Sequence, residues 1–209
     1  MFVADAINFR EIAMKEAVPL ATIQNAMIDF LRGRKDVALF GAQAVNVYVT
    51  EPRATQDVDL ISLRASDLAE EVREHLSQLF HIAVRVRQIK DGLGFRVFQL
   101  QKTGNRHLVD IRSVGSFPQT QVIDGVLVLS PPDLIASKVI SLWNRRGKPK
   151  SFTDRRDLML LLLAFPDLKS HTGAVMDCLV SGKADPAVTE LWRELVTEEI
   201  AQESEDDDF

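Results

Sequence analysis

The stretch that decides the fold reads Leu39-Phe40-Gly41-Ala42, followed thirteen residues later by Thr55-Gln56-Asp57-Val58-Asp59-Leu60. Val37 to Phe40 is a short apolar strand, Gly41 turns the chain into a helix over residues 42–49, and Pro52 ends that helix. On a strand, side chains two apart share a face. Asp57 and Asp59 therefore point one way, while Val58 and Leu60 point into a core. Adjacent carboxylates with no cation between them repel, and a pair of magnesium ions is the usual reason to tolerate that arrangement. Exposed acidic residues on a half-buried strand produce the same pattern, so the pair needs support from elsewhere in the chain. Gly41 gives some of it. It stands between a strand and a helix N-terminus, where a missing side chain lets backbone approach a phosphate and the helix dipole favours negative charge. Asp110, within His107-Leu108-Val109-Asp110-Ile111, is a second acidic residue among apolar strand neighbours. If its strand lies beside that of Asp57, three carboxylates converge.

Outward from this centre, apolar side chains at Leu20, Ile23, Met27, Phe30 and Leu31 have helical spacing. Ser66 is read as the cap of an amphipathic helix reaching Leu79. Strands are expected over residues 82–87, 95–101 and 107–112, separated by turns at Asp91-Gly92 and Thr103-Gly104-Asn105 and paired antiparallel. Asp124-Gly125 is a hairpin signal. After Ser130 the pattern turns helical: Ser130 is the N-cap, Pro131 suits the first helical position and Asp133 completes a capping box. That helix runs to about Trp143, and another covers roughly residues 153–164, with Ser151-x-x-Asp154 reading as its capping box. The expected organisation is an α/β domain over residues 1–129, a helical domain over 130–197 and an acidic, disordered tail over 198–209.

Composition narrows the chemistry. Cys178 is the only cysteine, and His75, His81, His107 and His171 lack paired ligand spacing, so structural or surface roles suit all four. A bound metal would have to be held by carboxylates, which points to magnesium or manganese. The first residues carry Asp5 and Arg10 before any sustained apolar run, unlike a signal peptide. The greasy run Leu158–Phe165 is too short to span a bilayer, so no membrane partner and a cytoplasmic location are expected. The net charge of −5 is uneven, because residues 198–209 hold seven acidic side chains and no basic one. The preceding 197 residues carry +2, with Arg145, Arg146, Lys148, Lys150, Arg155 and Arg156 crowded together. Such a patch would meet phosphates or form a solvated loop, and composition does not choose. Trp143 and Phe152 flank it and are read as core aromatics.

The run Gly41-Ala42, Arg53-x-Thr55-x-Asp57-x-Asp59 and the strand residue Asp110 resembles the signature of the DNA polymerase β-type nucleotidyltransferase superfamily. Downstream, Lys138 in Asp133-Leu134-Ile135-Ala136-Ser137-Lys138, then Arg145-Arg146, then Asp154 and Asp157 follow an order similar to the AbiEii-type nucleotidyltransferases, which include toxins of two-gene toxin–antitoxin systems. The resemblance covers roughly residues 39–164. Where that family has Gly-Gly or Gly-Ser, this chain has Gly41-Ala42, without a serine hydroxyl for a phosphate. The resemblance implies a mixed sheet flanked by helices, followed by a helical domain. It also implies transfer of a nucleoside monophosphate from an NTP to an acceptor hydroxyl.

By the same resemblance, Asp57, Asp59 and Asp110 hold magnesium (or manganese), and Asp110 helps deprotonate the acceptor. Arg53, Lys138 and Arg145 join Gly41 and Ala42 around the phosphates, Thr55 braces the loop before the strand, and Asp154 has a catalytic role. The implied partners are an NTP, an RNA acceptor, notably the 3′ end of tRNA, and an antitoxin protein. Blander readings stand beside these. Lys138 would be a solvated helix end, Asp154 a capping carboxylate, and Asp157 the partner of Arg145 or Arg146 in a structural ion pair. A small-molecule or protein acceptor, or a silent nucleotide- or protein-binding module, are the competing functions. The three carboxylates argue against the silent module.

Overall fold

Four consecutive apolar residues, Val37 to Phe40, are all buried, as a strand deep in a sheet requires. The computed structural model describes residues 18–89, 92–102 and 104–201. Its elements in chain order are α1 (Leu20–Leu31), β1 (Val37–Phe40), α2 (Gly41–Tyr48), β2 (Val58–Ser62), α3 (Ala65–Phe80), β3 (Val84–Ile89), β4 (Gly94–Gln99), β5 (Arg106–Ser113), β6 (Thr120–Ile123) and β7 (Val126–Leu129). Then come α4 (Pro131–Asn144), α5 (Lys150–Ala164), α6 (Ala174–Ser181) and α7 (Pro186–Thr197).

The strands form one 7-stranded mixed sheet in the order β3-β4-β5-β2-β1-β7-β6. β1–β7 and β2–β5 pair in parallel and the other neighbours antiparallel. α3 turns Leu68, Ala69, Val72 and Leu76 inward and packs on β3, β4 and β5 from one side. Each large apolar side chain buried this way stabilises the fold by about 1.5–3 kcal/mol. One apolar cluster runs from Leu60 and Val109 of the sheet through Leu134, Ile135 and Leu158 to Trp192 of α7. Trp192 is fully buried and its indole N–H donates to the Ser170 carbonyl at 3.1 Å.

β5 contains a bulge. Val109 pairs with Val97 but His107 pairs with Phe98, leaving Leu108 extra. Asp124 (φ 50°) and Gly125 (φ 81°) make the β6–β7 turn, with the positive φ pair that a tight hairpin asks for.

Several boundaries differ from the sequence reading. α3 starts at Ala65 with Arg64 as its cap residue, so Ser66 lies inside the helix. β3 lies two residues further along than expected, and α5 starts at Lys150, after Pro149. Ser151 is therefore in the first turn of α5, donating to the Lys148 carbonyl, and forms no capping box with Asp154. Phe152, in that same turn, is 77% exposed and not core. Ser130 does stand at the N-cap position of α4, but its side chain accepts no backbone N–H there; its hydroxyl donates to the Asp133 carboxylate at 2.7 Å. The expected turn residues Asp91 and Thr103, and the acidic tail beyond Ala201, lie outside the described residues.

Candidate active site

The register of the sheet assembles a row of charged side chains. Phe40 of β1 pairs with Asp59 of β2, Asp59 with Asp110 of β5, Asp110 with Arg96 of β4, and Arg96 with Arg87 of β3. Asp57 stands just before β2, two residues from Asp59 and on its face. Carboxylate oxygens from Asp57, Asp59 and Asp110 all lie within 4.8 Å of one another. Val58 and Leu60 are fully buried on the other face, so the alternation read from the sequence holds.

The crowding of three carboxylates registers at Asp59. Burial, then the charge of Asp57, then that of Asp110 push the Asp59 carboxyl up to about 6, against weaker downward pulls from Lys138 and Lys150. Arg96 grips Asp110 with two hydrogen bonds, Nε to Oδ1 at 2.6 Å and Nη2 to Oδ2 at 2.7 Å. One guanidinium against three carboxylates leaves the cluster negative. An all-oxygen donor set of this kind suits a hard divalent cation such as magnesium or manganese.

Gly41 begins α2 directly against this cluster. Its φ is +70°, and a Cβ added there would lie 2.1 Å from the Asp59 Oδ2. The sequence pointed to glycine for approach to a phosphate; the structure adds a second reason, since Asp59 occupies the space a side chain would need. Gly41→Ala should therefore displace Asp59 and strain the backbone by about 1–2 kcal/mol. Titration calorimetry with magnesium and an NTP should show binding weakened at least about tenfold. Wild-type affinity in that variant would mean the Gly41–Asp59 contact does not shape the site.

Facing the carboxylates is a cationic wall from α4, the residue that ends it, and the loop before β2. Lys138 of α4 is only 5% exposed, and its ammonium sits 2.6 Å from Asp157 and 3.6 Å from Asp154 of α5. Arg53 forks onto Asp157 at 2.7 and 2.9 Å, and Arg145 reaches both Asp154 oxygens at 2.8 and 3.0 Å. Although burial pushes Asp157 up, Arg53 and Lys138 hold its carboxyl below the usual range. Asp157 is thus bound by Arg53 and Lys138, not by Arg145 or Arg146. Lys138 is a buried ion-pair member and not a solvated helix end, and Asp154 is no cap. Three cations against two carboxylates leave the wall net positive, with Lys150 adding to it along the cleft.

Thr55 is held at the cleft mouth. Its hydroxyl oxygen accepts from Gln43 Nε2 at 2.8 Å and Gln24 Nε2 at 3.2 Å, and its carbonyl accepts from Gln24 at 2.9 Å. The loop that presents Asp57 is pinned by these bonds. Gly41, Ala42, Arg53, Thr55, Asp57, Asp59, Asp110, Lys138, Arg145 and Asp154 all line one cleft of about 570 Å³. Arg96 and Arg112, which the sequence reading did not single out, line it as well, and so does Lys150 of the basic patch. A regular hairpin of the 95–101 and 107–112 spans sets Arg96 opposite Arg112; the observed register, with its bulge, is what sets it opposite Asp110.

No protein-family model matches the chain, and no curated protein matches it in sequence. Solved structures do match in three dimensions. The Megavirus polyadenylate synthase superposes with a TM-score of 0.59 over 79% of this chain at 14% identity. JHP933 from Helicobacter pylori gives 0.51 over 85% of this chain and 88% of its own length, also at 14% identity. The mixed seven-stranded sheet flanked by helices is the fold these structures share. Identity this low speaks for the fold alone, and the chain spans only 39% of the Megavirus enzyme's length. No helix among the described residues is long and apolar enough to cross a membrane.

Proposed function

We propose that this chain is a nucleotidyltransferase, moving a nucleoside monophosphate from an NTP to an acceptor hydroxyl. The convergence of Asp57, Asp59 and Asp110 within 4.8 Å, opposite a net positive wall, carries the reading. Asp57, Asp59 and Asp110 would hold two magnesium (or manganese) ions, which when bound neutralise charge on the attacking and leaving oxygens. The amides of Gly41 and Ala42 at the start of α2 favour phosphate oxygens. Arg145 and Lys150 face the same space, and Arg53 and Lys138 keep N–H donors beyond those given to Asp157. The acceptor oxygen attacks the α-phosphorus in line, a P–O bond forms to it, and the bond to the β-phosphate breaks, releasing pyrophosphate. Asp110 takes up the acceptor's proton, using lone pairs that Arg96 leaves free.

The succession Lys138, Arg145, Asp154, Asp157 supports the finer reading of an AbiEii-type enzyme acting in the cytoplasm, with RNA as acceptor, notably the tRNA 3′ end, and an antitoxin as partner. A transfer assay tests it, with magnesium, each of four α-labelled NTPs, and total RNA or the protein itself as acceptor, run beside Asp57→Ala/Asp59→Ala. Label on tRNA-sized RNA only with intact aspartates is the expected result. Label on protein would retain the chemistry and replace the acceptor. Equal labelling by wild type and double variant would remove the aspartates from the reaction.

A further inference from the structure

The charged row through the carboxylates continues past them to the sheet's free edge. Arg87 of β3 pairs with Arg96 of β4, and Arg85 pairs with Phe98. Paired residues share a face, so Arg85 and Arg87 stand on the same side as Asp110, opposite the side covered by α3. Both are exposed, and neither enters an ion pair among the described residues. Like charges directly opposite each other on neighbouring strands are destabilising, and Arg87 facing Arg96 is such a pair. Asp110 offsets Arg96 alone. Among the described residues the edge therefore carries positive charge with no ion-pair partner, two strand spacings, or about 10 Å, from the carboxylate cluster.

The basic stretch 145–156 is a weaker candidate for a polyanion than its composition suggests. Arg145 is taken by Asp154, Arg155 by Glu198 at 2.6 Å and Arg156 by Glu51 at 3.6 Å, and Arg146 lies 3.8 Å over the Trp143 ring; Lys148 and Lys150 enter no ion pair among the described residues, and Lys150 lines the cleft. Arg85 and Arg87 keep both charge and donors. They stand about 6.8 Å apart along β3, a separation comparable with that of successive phosphates in a nucleic-acid strand. Guanidinium forks match phosphate oxygens two at a time.

We propose that the arginine face of the edge strand β3, beside the cleft, docks the sugar–phosphate backbone of the acceptor RNA and leads its 3′ end along the Arg87–Arg96–Asp110 row to the reaction centre. This rests on the nucleotidyltransferase reading and adds to it where the acceptor lies.

Binding of a fluorescein-labelled single-stranded RNA oligonucleotide to the full chain, followed by anisotropy over a salt series, tests the docking face. Arg85→Ala/Arg87→Ala should weaken binding about tenfold or more and reduce the salt slope by about 1.4, at roughly 0.7 per single-strand phosphate contact. Arg85→Lys/Arg87→Lys should keep most of the slope. The melting-temperature shift produced by magnesium and NTP should be the same in all three proteins. Unchanged RNA binding in the alanine variant would overturn the proposal, as would loss confined to Arg146→Ala/Lys148→Ala. Equal binding of labelled polyglutamate would remove the assignment to nucleic acid. A wild-type chain that binds magnesium and NTP but no RNA would sink the docking face and leave nucleotidyl transfer standing. Loss of RNA binding in the alanine variant, with no nucleotide shift in any protein, would uphold the face and sink the enzymatic reading.

Discussion

Asp59→Asn should abolish transfer while raising the melting temperature of the metal-free protein. Asp59 sits against two other carboxylates and is pushed from the ordinary 3.8 up to about 6. The folded protein binds that proton more tightly than the unfolded chain does. Asp59 therefore destabilises the fold fully above about pH 6, and the penalty disappears as pH falls toward the unfolded value near 3.8. The shift corresponds to roughly 3 kcal/mol at neutral pH, and partial exposure of the group discounts that to about 2. For a chain of this size about 2 kcal/mol is roughly 4–8 °C. The metal-free variant should be more stable than wild type by that amount at pH 7.5, with the gap closing by pH 4.

Saturating magnesium and NTP should reverse the order, because a ligand stabilises only the protein that binds it. Transfer should fall by about 10³-fold or more, the scale seen when one preorganised electrostatic partner of a transition state is lost. Scanning calorimetry with and without magnesium reads the first part and the transfer assay the second. A variant that melts no higher than wild type without metal, or that retains transfer within a few-fold, contradicts the role given to Asp59.

The second large effect belongs to Lys138. Its ammonium is buried between Asp157 and Asp154, and removing one partner of a buried pair costs about 3–5 kcal/mol because the other is left uncompensated. Lys138→Met should lower the melting temperature by roughly 6–20 °C. Asp157 and Asp154 would keep Arg53 and Arg145, which is why unfolding outright is not expected. Lys138→Met/Asp157→Leu should recover part of the loss, since Arg53 is 26% exposed and can turn to water. Lys138 also draws the Asp59 carboxyl downward, so in the single variant that carboxyl should ionise at a higher pH than in wild type. A destabilisation below about 1 kcal/mol would place the pair in better contact with solvent than its 5% exposure indicates.

What the sequence made legible was local. The spacing of Asp57 and Asp59, the apolar run before Gly41 and the Asp124-Gly125 turn each carry their meaning within a few residues, and each sits in the structure as read. Asp110 needed one further condition, that its strand lie beside β2, and the parallel register of Asp59 with Asp110 supplies it. What stayed hidden depends on partners far apart in the chain. Arg53 and Asp157 are 104 residues apart, and no pattern in either neighbourhood announces the other. Asp154 has the spacing of a capping residue from Ser151, yet the helix begins a residue before Ser151, and burial beside Lys138 and Arg145 decides what Asp154 does. Gly41 was legible as a glycine with a purpose, but the neighbour that forbids its side chain appears only when β1 and β2 are laid side by side.

The bulge at Leu108 separates two jobs along one strand. His107 and Asp110 are three residues apart and would face opposite ways on a regular strand, yet both line the cleft because the extra residue resets the alternation between them. An insertion or deletion within Val109–Ser113 would slide Asp110 out of line with Asp59. One in the stretch up to His107 can be absorbed at the bulge. The half of β5 that holds the carboxylate is thereby frozen against changes in length, while the half that carries the imidazole is open to them, and a descendant of this chain could remodel one wall of its cleft without moving the residues opposite Asp59.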